Sequence, residues 1–397
     1  LSRPQFDVFP RRGLQTRAVA VQDSEMASPT SPSYLRQLDG LRALSVAAVA
    51  WSHWRAYWFH QSIVPWAEFG VETFFVISGF LITGILLDNR CEKSGLLVLK
   101  QFYIRRFLRI FPVFYATLLV AWLWRADGME SWEWHVGYLS NVYFYLWGWH
   151  GQLSHFWSLA VEEQFYLCWP LLMVFLPNRW LLPAIVAGIV LAPIFETSIG
   201  LFPPAHGTGV SAAVLMPSCM DALGIGALFA LGVRKNYPMK QLAAVLLVVG
   251  LAGYFLCRFF GGPEPIGRMA EECVLGWLVF SAANGFRGPV GWLLGSAPLC
   301  YLGKISYGLY VFHNFASSMW VRLIFMLGSP LWLVKLYNIP VIRILAFAGL
   351  TIGLAAYSWH RFEKPINDLK RKFPYPARQL SSASGPKPDV PDLRPAV

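Results

Sequence analysis

Charge is what this sequence has least of. Asp, Glu, Lys and Arg make up 14% of its residues, where a soluble protein carries roughly 25%. With 56% of residues hydrophobic, a water-soluble fold would have to bury more apolar surface than one core can hold. Paired cysteines are missing as well. Cys91, Cys168, Cys219, Cys257, Cys273 and Cys300 stand singly, at no metal-ligand or redox spacing, which argues against a disulfide framework and a bound metal. No internal repeat is visible, so a transporter built from inverted halves gains no support. The first 33 residues lack the apolar run of a secretory signal and read as a polar cytoplasmic segment. Within it, Met26 opens an ordinary polar N-terminus, so 1–25 is read as an over-extended start.

What the sequence has instead is long apolar stretches. Segments of about 20 residues, enough to cross ~30 Å of hydrocarbon, recur near 38–58, 69–88, 107–124, 155–176, 181–200, 211–232, 240–259, 270–286, 304–327 and 339–360. Each must be helical, because a lipid-facing backbone has to satisfy its own hydrogen bonds. The expected fold is therefore all-α, a polytopic transmembrane bundle of about ten helices over 34–366, followed by a disordered cytoplasmic tail at 367–397. The net charge of +11 first suggests nucleic acid, but its distribution favours topology. With the N-terminus inside, the loops on that side carry twenty-one Lys and Arg against six opposite, a positive-inside bias that places both termini in the cytoplasm. The partner this predicts is a lipid bilayer, the bacterial inner membrane, and not nucleic acid. Oligomeric state leaves no mark on the sequence.

An ionisable group inside a span costs several kcal/mol on insertion scales, so each one asks for a reason. Arg42 and His53 stand eleven residues apart in the first segment, almost three turns, on one face and ~16 Å apart along the axis. That places Arg42 at the cytoplasmic interface and His53 near the midplane, where a neutral imidazole is suited to deprotonate a hydroxyl; the alternative is a polar residue bonding across a helix pair. Glu72, in the second segment, is expected to reach the depth of His53 and orient its ring, or else to sit at headgroup level. Gly79 and Gly84 permit close helix packing. Arg105, Arg106 and Arg109 form a guanidinium cluster fit either for phosphate or for anionic headgroups. Glu162 and Glu163 are adjacent and point about 100° apart, so one is expected to take a buried role and the other to meet water. Ser306, Tyr310 and His313 share one helical stripe, read as the lining of a cavity or as a helix–helix seam. Trp132, Trp134, Trp147 and Trp149 form an interfacial aromatic belt or, alternatively, stack on a sugar ring.

Six stretches in this order, LDGLRALSV with its Arg42 to His53 spacing, GVETFFVISGFLIT, FYIRRFLRIFP, FWSLAVEEQFY, ISYGLYVFH and RFEKP, resemble the acyltransferase-3 family of integral membrane acyltransferases. The resemblance implies transfer of an acyl group, usually acetyl, from cytoplasmic acyl-CoA to a hydroxyl of an extracytoplasmic carbohydrate or related acceptor. Acyl-CoA is then a co-substrate, and no permanently bound cofactor is expected. The resemblance makes His53 the catalytic histidine, with Arg42 its motif partner. It assigns Arg106 and Arg109 to the CoA end, and selects Glu162 over Glu163 as the recurring glutamate. Glu72 stands where an acidic residue, often Asp, is common. Ser306, Tyr310 and His313 are candidates for the acceptor or oxyanion contacts. With about thirty residues after RFEKP, no appended esterase-like domain is expected, leaving the membrane part to bind the acceptor unaided. The competing expectations are a non-catalytic transporter or flippase of an acyl or lipid-linked substrate, and a membrane sensor or scaffold.

Overall fold

The computed structural model describes residues 35–55, 65–90, 94–204 and 209–375. The expected N-terminal segment at 1–33 and the tail beyond 375 lie outside them. Among the described residues the regular structure is helical, with no strand. Each apolar segment read from the sequence overlaps at least one helix over its described residues. The first two are α1 (Arg36–Arg55) and α2 (Trp66–Asn89). Next comes α3 (Gly95–Leu123), which carries the arginine motif and holds Pro112 in its interior; in a bundle, neighbouring groups re-satisfy the carbonyl that proline frees. The short α4 (Trp132–Val136) and α5 (Ser140–Trp147) order the aromatic-rich connection. Five further helices follow: α6 (Phe156–Phe175), α7 (Asn178–Gly200), α8 (Met220–Arg234), α9 (Met239–Phe260) and α10 (Glu264–Asn284). Two short ones, α11 (Gly288–Leu294) and α12 (Ala297–Lys304), lead into α13 (Ser306–Phe312) and α14 (Ala316–Met326). The chain closes with α15 (Leu331–Tyr337), α16 (Pro340–Ser358) and α17 (Lys364–Asp368).

Three boundaries differ from expectation. The sixth segment becomes helical only at Met220, after a 3-10 turn at Ala212–Val214, because Pro217 disfavours helix at the residue before it. The ninth segment is two helices separated by a 3-10 turn at His313–Phe315. The chain expected as tail from 367 stays folded to Tyr375: a 3-10 turn spans Leu369–Lys372, and Arg105 donates to the carbonyls of Lys370 and Phe373 at 2.9 and 3.1 Å. A guanidinium that satisfies free carbonyls extends the order past the last apolar residue.

Among the described residues five helices, α2, α3, α7, α9 and the one starting at Pro340, are long and apolar enough to cross a membrane. The remaining segments fall short because α8 is brief, α13 and α14 are interrupted, and α1, α6 and α10 carry polar or ionisable side chains. α2 is the centre of the bundle and packs against α1, α6, α8 and α10. On α9, by contrast, only Met239, Ala243 and Gly250 are fully buried, and Val245, Val248 and Phe255 are among the exposed side chains, as suits a lipid-facing edge.

The α2–α8 crossing depends on two glycines. A Cβ added at Gly79 would overlap the Leu223 carbonyl, and one at Gly226 would overlap the Val76 carbonyl, so the two backbones touch directly. Gly84 does the same more gently against the Arg234 side chain, at 2.8 Å. Gly226→Leu is expected to remove the folded protein altogether, seen as loss of the monodisperse peak in detergent size-exclusion. A variant that elutes and melts like the parent would show that the close approach is dispensable.

Candidate functional site

Three helix ends bring three histidines together. His53 lies in the last turn of α1, His155 immediately precedes α6, and His313 opens the turn between α13 and α14. Ring centroids are 5.0 Å apart for His53 and His313, 4.7 Å for His155 and His313, and 6.5 Å for His53 and His155. His155 and His313 are buried; His53 is partly exposed.

Their hydrogen-bond partners assign the protons. His313 Nδ1 lies 2.6 Å from the Tyr310 carbonyl. A carbonyl only accepts, so Nδ1 carries the proton and Nε2 keeps its lone pair. That Nε2 is 3.1 Å from His53 Nδ1, which is also 3.0 Å from the Val49 carbonyl. His53 therefore holds its proton on Nδ1, shared between two acceptors, and its free lone pair is on Nε2. His155 Nε2 donates to the Val311 carbonyl at 3.2 Å, while Asn314 Nδ2 approaches its Nδ1 at 3.5 Å. A ring held by its Nδ1–H with a bare Nε2 has the arrangement of a general base.

Two cavities meet beside this cluster. One, of about 80 Å³, is lined by Arg42, Arg106 and Arg109 with Glu162, Glu163, Tyr166 and Ser306. The other, of about 460 Å³, is lined by His53 and His155 with Glu72, Arg268 and the indoles of Trp149 and Trp157. Val71, Phe75 and Tyr310 contribute to both walls, so the cavities adjoin. Tyr310 is fixed at this junction by its hydroxyl, 2.5 Å from Ser158 Oγ and donating to the His155 carbonyl at 3.0 Å. The arginine-lined cavity is narrow and positive, a shape and charge suited to a thin anionic chain. The histidine-lined one has the volume of a ring-sized ligand with aromatic and polar walls.

A family model described as an acyltransferase domain matches residues 35–360. The chain belongs to this family. It is a multi-pass membrane protein by that membership and by its long apolar helices. Among curated proteins it is similar to the peptidoglycan O-acetyltransferase OatA of Listeria monocytogenes, 32% identical over 367 residues, covering 85% of this chain and 56% of that protein. The putative peptidoglycan O-acetyltransferase YrhL of Bacillus subtilis is 28% identical over 381 residues, covering 84% and 55%. The O-acetyltransferase OatA of Staphylococcus aureus is 29% identical over 379 residues, covering 85% and 58%. The chain thus spans a little over half the length of these relatives. No solved structure matches it.

Within this domain, the residues read from the sequence divide between the cavities. Arg42 and His53 lie on one helix and open into different chambers. Arg42 is held by Asp39 at 3.1 Å. His53 lies in the last described turn of α1. Arg106 lies over the rings of Tyr166 and Phe102, at 5.0 and 5.6 Å, and lines the arginine cavity with Arg109. Arg105, expected beside them, turns away. It binds the two C-terminal carbonyls and lies 5.1 Å from the centre of the Tyr375 ring, because neighbours on a helix point about 100° apart.

Glu162 accepts from Ser78 at 2.8 Å and from Tyr166 at 2.9 Å in the arginine cavity. Glu163 lines the same cavity, against the expectation that the pair would separate. Glu72 corrects a larger expectation. It shares a cavity with His53, but the imidazole is held by Val49 and His313. Its charged neighbours are Glu271, Arg268, Asp221 and Glu68, because Glu72 faces the side of α2 that packs on α8 and α10. The Ser306, Tyr310 and His313 stripe runs from the arginine cavity, through the junction, to the histidine cluster. Of the four tryptophans, Trp149 lines the histidine-lined cavity, whereas Trp134 and Trp147 pack on each other at 5.3 Å and Trp132 is exposed.

Several site residues were missed. His155 stands one residue before FWSLAVEEQFY, at the mouth of a span, and the rule applied to His53 applied to it equally. The same holds for Asp221, Glu271 and Glu272, all ionisable residues inside expected spans. His135, in the connection between helices, is a different case. It is buried against Phe144 and Phe156, and burial first, then His150, holds its pKa down to about 4. It stays a neutral packing residue.

Proposed function

We propose that this chain transfers an acyl group, acetyl by the names of its relatives, from acyl-CoA at the cytoplasmic face to a hydroxyl of an extracytoplasmic carbohydrate. The observation that carries this reading is the pair of adjoining cavities, one lined by Arg42, Arg106 and Arg109 and the other by His53, with Val71, Phe75 and Tyr310 common to both. The positive-inside bias supports an inner-membrane chain with both termini cytoplasmic, which turns the arginine cavity toward the cytoplasm. Phosphates of CoA meet the guanidinium groups there, and the slender pantetheine arm reaches the junction at Tyr310. The acceptor enters the opposite cavity.

His53 Nε2 takes the proton of the acceptor hydroxyl as its oxygen attacks the thioester carbonyl carbon. The positive charge on the ring is shared through Nδ1–H with the Val49 carbonyl and His313. Collapse of the tetrahedral intermediate breaks the carbon–sulfur bond, and the imidazolium returns the proton to the thiolate. The products are an ester and free CoA thiol. The relatives that carry peptidoglycan in their names support a cell-wall glycan as the acceptor.

The test is glycan ester content by mass spectrometry in cells with and without the gene. Equal content would reject the transferase reading; movement of substrate without acyl-CoA would favour a transporter. For the donor site, Arg106→Ala and Arg109→Ala are each expected to raise the KM for acetyl-CoA by roughly tenfold to a hundredfold, the loss of one hydrogen bond between charged groups. An unchanged KM would leave these arginines as headgroup anchors.

A further inference from the structure

Another cavity, of about 280 Å³, lies where the second half of α3 faces α14 and α16, and it shares no lining residue with either chamber of the transfer site. On α3 its wall includes Val113, Thr117, Val120 and Trp124, and across from them run Phe315, Met319 and Arg322. Both sets repeat every three or four residues, so each is one continuous helix face. Arg106 and Trp124 are ~27 Å apart along α3, about the thickness of the hydrocarbon core. With the arginine motif at one membrane surface, Trp124 stands at the other. From Trp124 down to Val113 is ~16 Å of helix, about the depth of one leaflet of a ~30 Å core.

The wall is apolar even where it carries hydroxyls. Thr117 Oγ1 donates to the Val113 carbonyl at 2.8 Å, Ser318 Oγ to the Phe315 carbonyl at 3.0 Å, and Ser358 Oγ to Glu363 at 2.9 Å. Their protons are spent on the protein, which leaves hydrocarbon to face an occupant. Val120 is 51% exposed and Phe362 is exposed as well, so the cavity opens sideways onto the lipid-facing surface. At the surface end the chemistry changes. Arg322 Nη2 donates to the Trp124 carbonyl at 3.1 Å, and the guanidinium stands 4.9 Å from the centre of the Trp124 ring. No carboxylate pairs with Arg322 among the described residues. A guanidinium has five N–H donors, so one carbonyl leaves most of them to an anion.

An apolar slot one leaflet deep, with a cation and an indole at its rim, matches one acyl chain below a phosphate. Because the slot shares no wall with either chamber, its occupant stays apart from the reacting atoms, which favours a lipid of the bilayer over the tail of a substrate. Phe312 and Phe315, on either side of His313 in the chain, belong to this wall, so the occupant packs behind the turn that places that imidazole.

We propose that this cavity binds one anionic phospholipid of the bilayer, with an acyl chain between α3 and α14 and the phosphate on Arg322. The site is independent of the transferase reading.

It is tested by native mass spectrometry on the full chain, delipidated in detergent and titrated with phosphatidylglycerol or with phosphatidylcholine of the same chains. The expected result is a single phosphatidylglycerol retained per chain, with an affinity roughly fivefold above that for phosphatidylcholine, the preference one cation near a membrane surface confers. Arg322→Gln should bring the two affinities together, and Arg322→Lys, which keeps the charge, should keep most of the difference. Ala116→Trp, whose indole fills the cavity from α3, should abolish retention of both lipids. An unchanged melting temperature of the delipidated variants shows that the fold is intact. Equal affinity of the parent for the two lipids overturns the proposal, and so does retention by Ala116→Trp at the parental level. A glycan-bearing isoprenoid lipid retained in preference to phosphatidylglycerol by protein purified from membranes also overturns it, and makes the cavity the tail site of a substrate.

Discussion

His53→Ala is expected to lower acyl transfer at least a hundredfold, the usual scale for a lost general base, with the KM for acetyl-CoA unchanged. His53 lies outside the arginine cavity, so removing its ring leaves the donor contacts in place. It also leaves Trp54 and its hydrogen bond to the His313 carbonyl, at 3.0 Å, to hold the end of α1. The measurement is free-thiol release from acetyl-CoA, together with glycan ester content in cells expressing each protein. A variant that keeps a tenth of parental activity would remove His53 from the chemistry.

The second large effect concerns His313. Its Nε2 is the acceptor that, with the Val49 carbonyl, holds the Nδ1 proton of His53. Partners of this kind typically change activity by about 10–100-fold when removed. His313→Leu is therefore expected to reduce kcat by that order and to move the pH–rate profile to lower pH, because an imidazolium without its acceptor is harder to form and the base stays neutral further into acid. His313→Gln places an amide oxygen near the Nε2 position and is expected to recover much of the loss. If Leu and Gln behave alike, or kcat falls with no movement of the profile, His313 is a packing residue. The acyl-CoA KM is the control in both cases.

The two histidines illustrate how far a linear reading reaches. His53 was legible because a lone imidazole stood eleven residues from an arginine in an apolar run, and helical periodicity places such a pair on one side. Its partner was not. Glu72 looked closer, since α1 and α2 are consecutive, yet α2 turns Glu72 toward α8 and α10. His313 is 260 residues from His53 in sequence. Moreover, its position depends on a break between α13 and α14 that an unbroken apolar segment does not announce. Arg105 failed for a related reason: it belongs to a cluster by spacing, but carbonyls of the folded C-terminal segment claim it.

The sequence by itself determined the membrane class, the helical fold and the identity of most polar residues that matter, because the bilayer penalises charge and open backbone wherever they occur along the chain. Those penalties are local, and local patterns report them. Only the tertiary structure decided which of the buried charges meet: that His53 answers to His313 and Val49, that Arg106 and Arg109 share a chamber with Glu162, and that the carboxyls of α2 and α10 line another. Helix rotation and contact are set by packing between distant segments, such as Gly79 and Gly226 at the α2–α8 crossing, and no periodicity within one helix encodes its angle to the next.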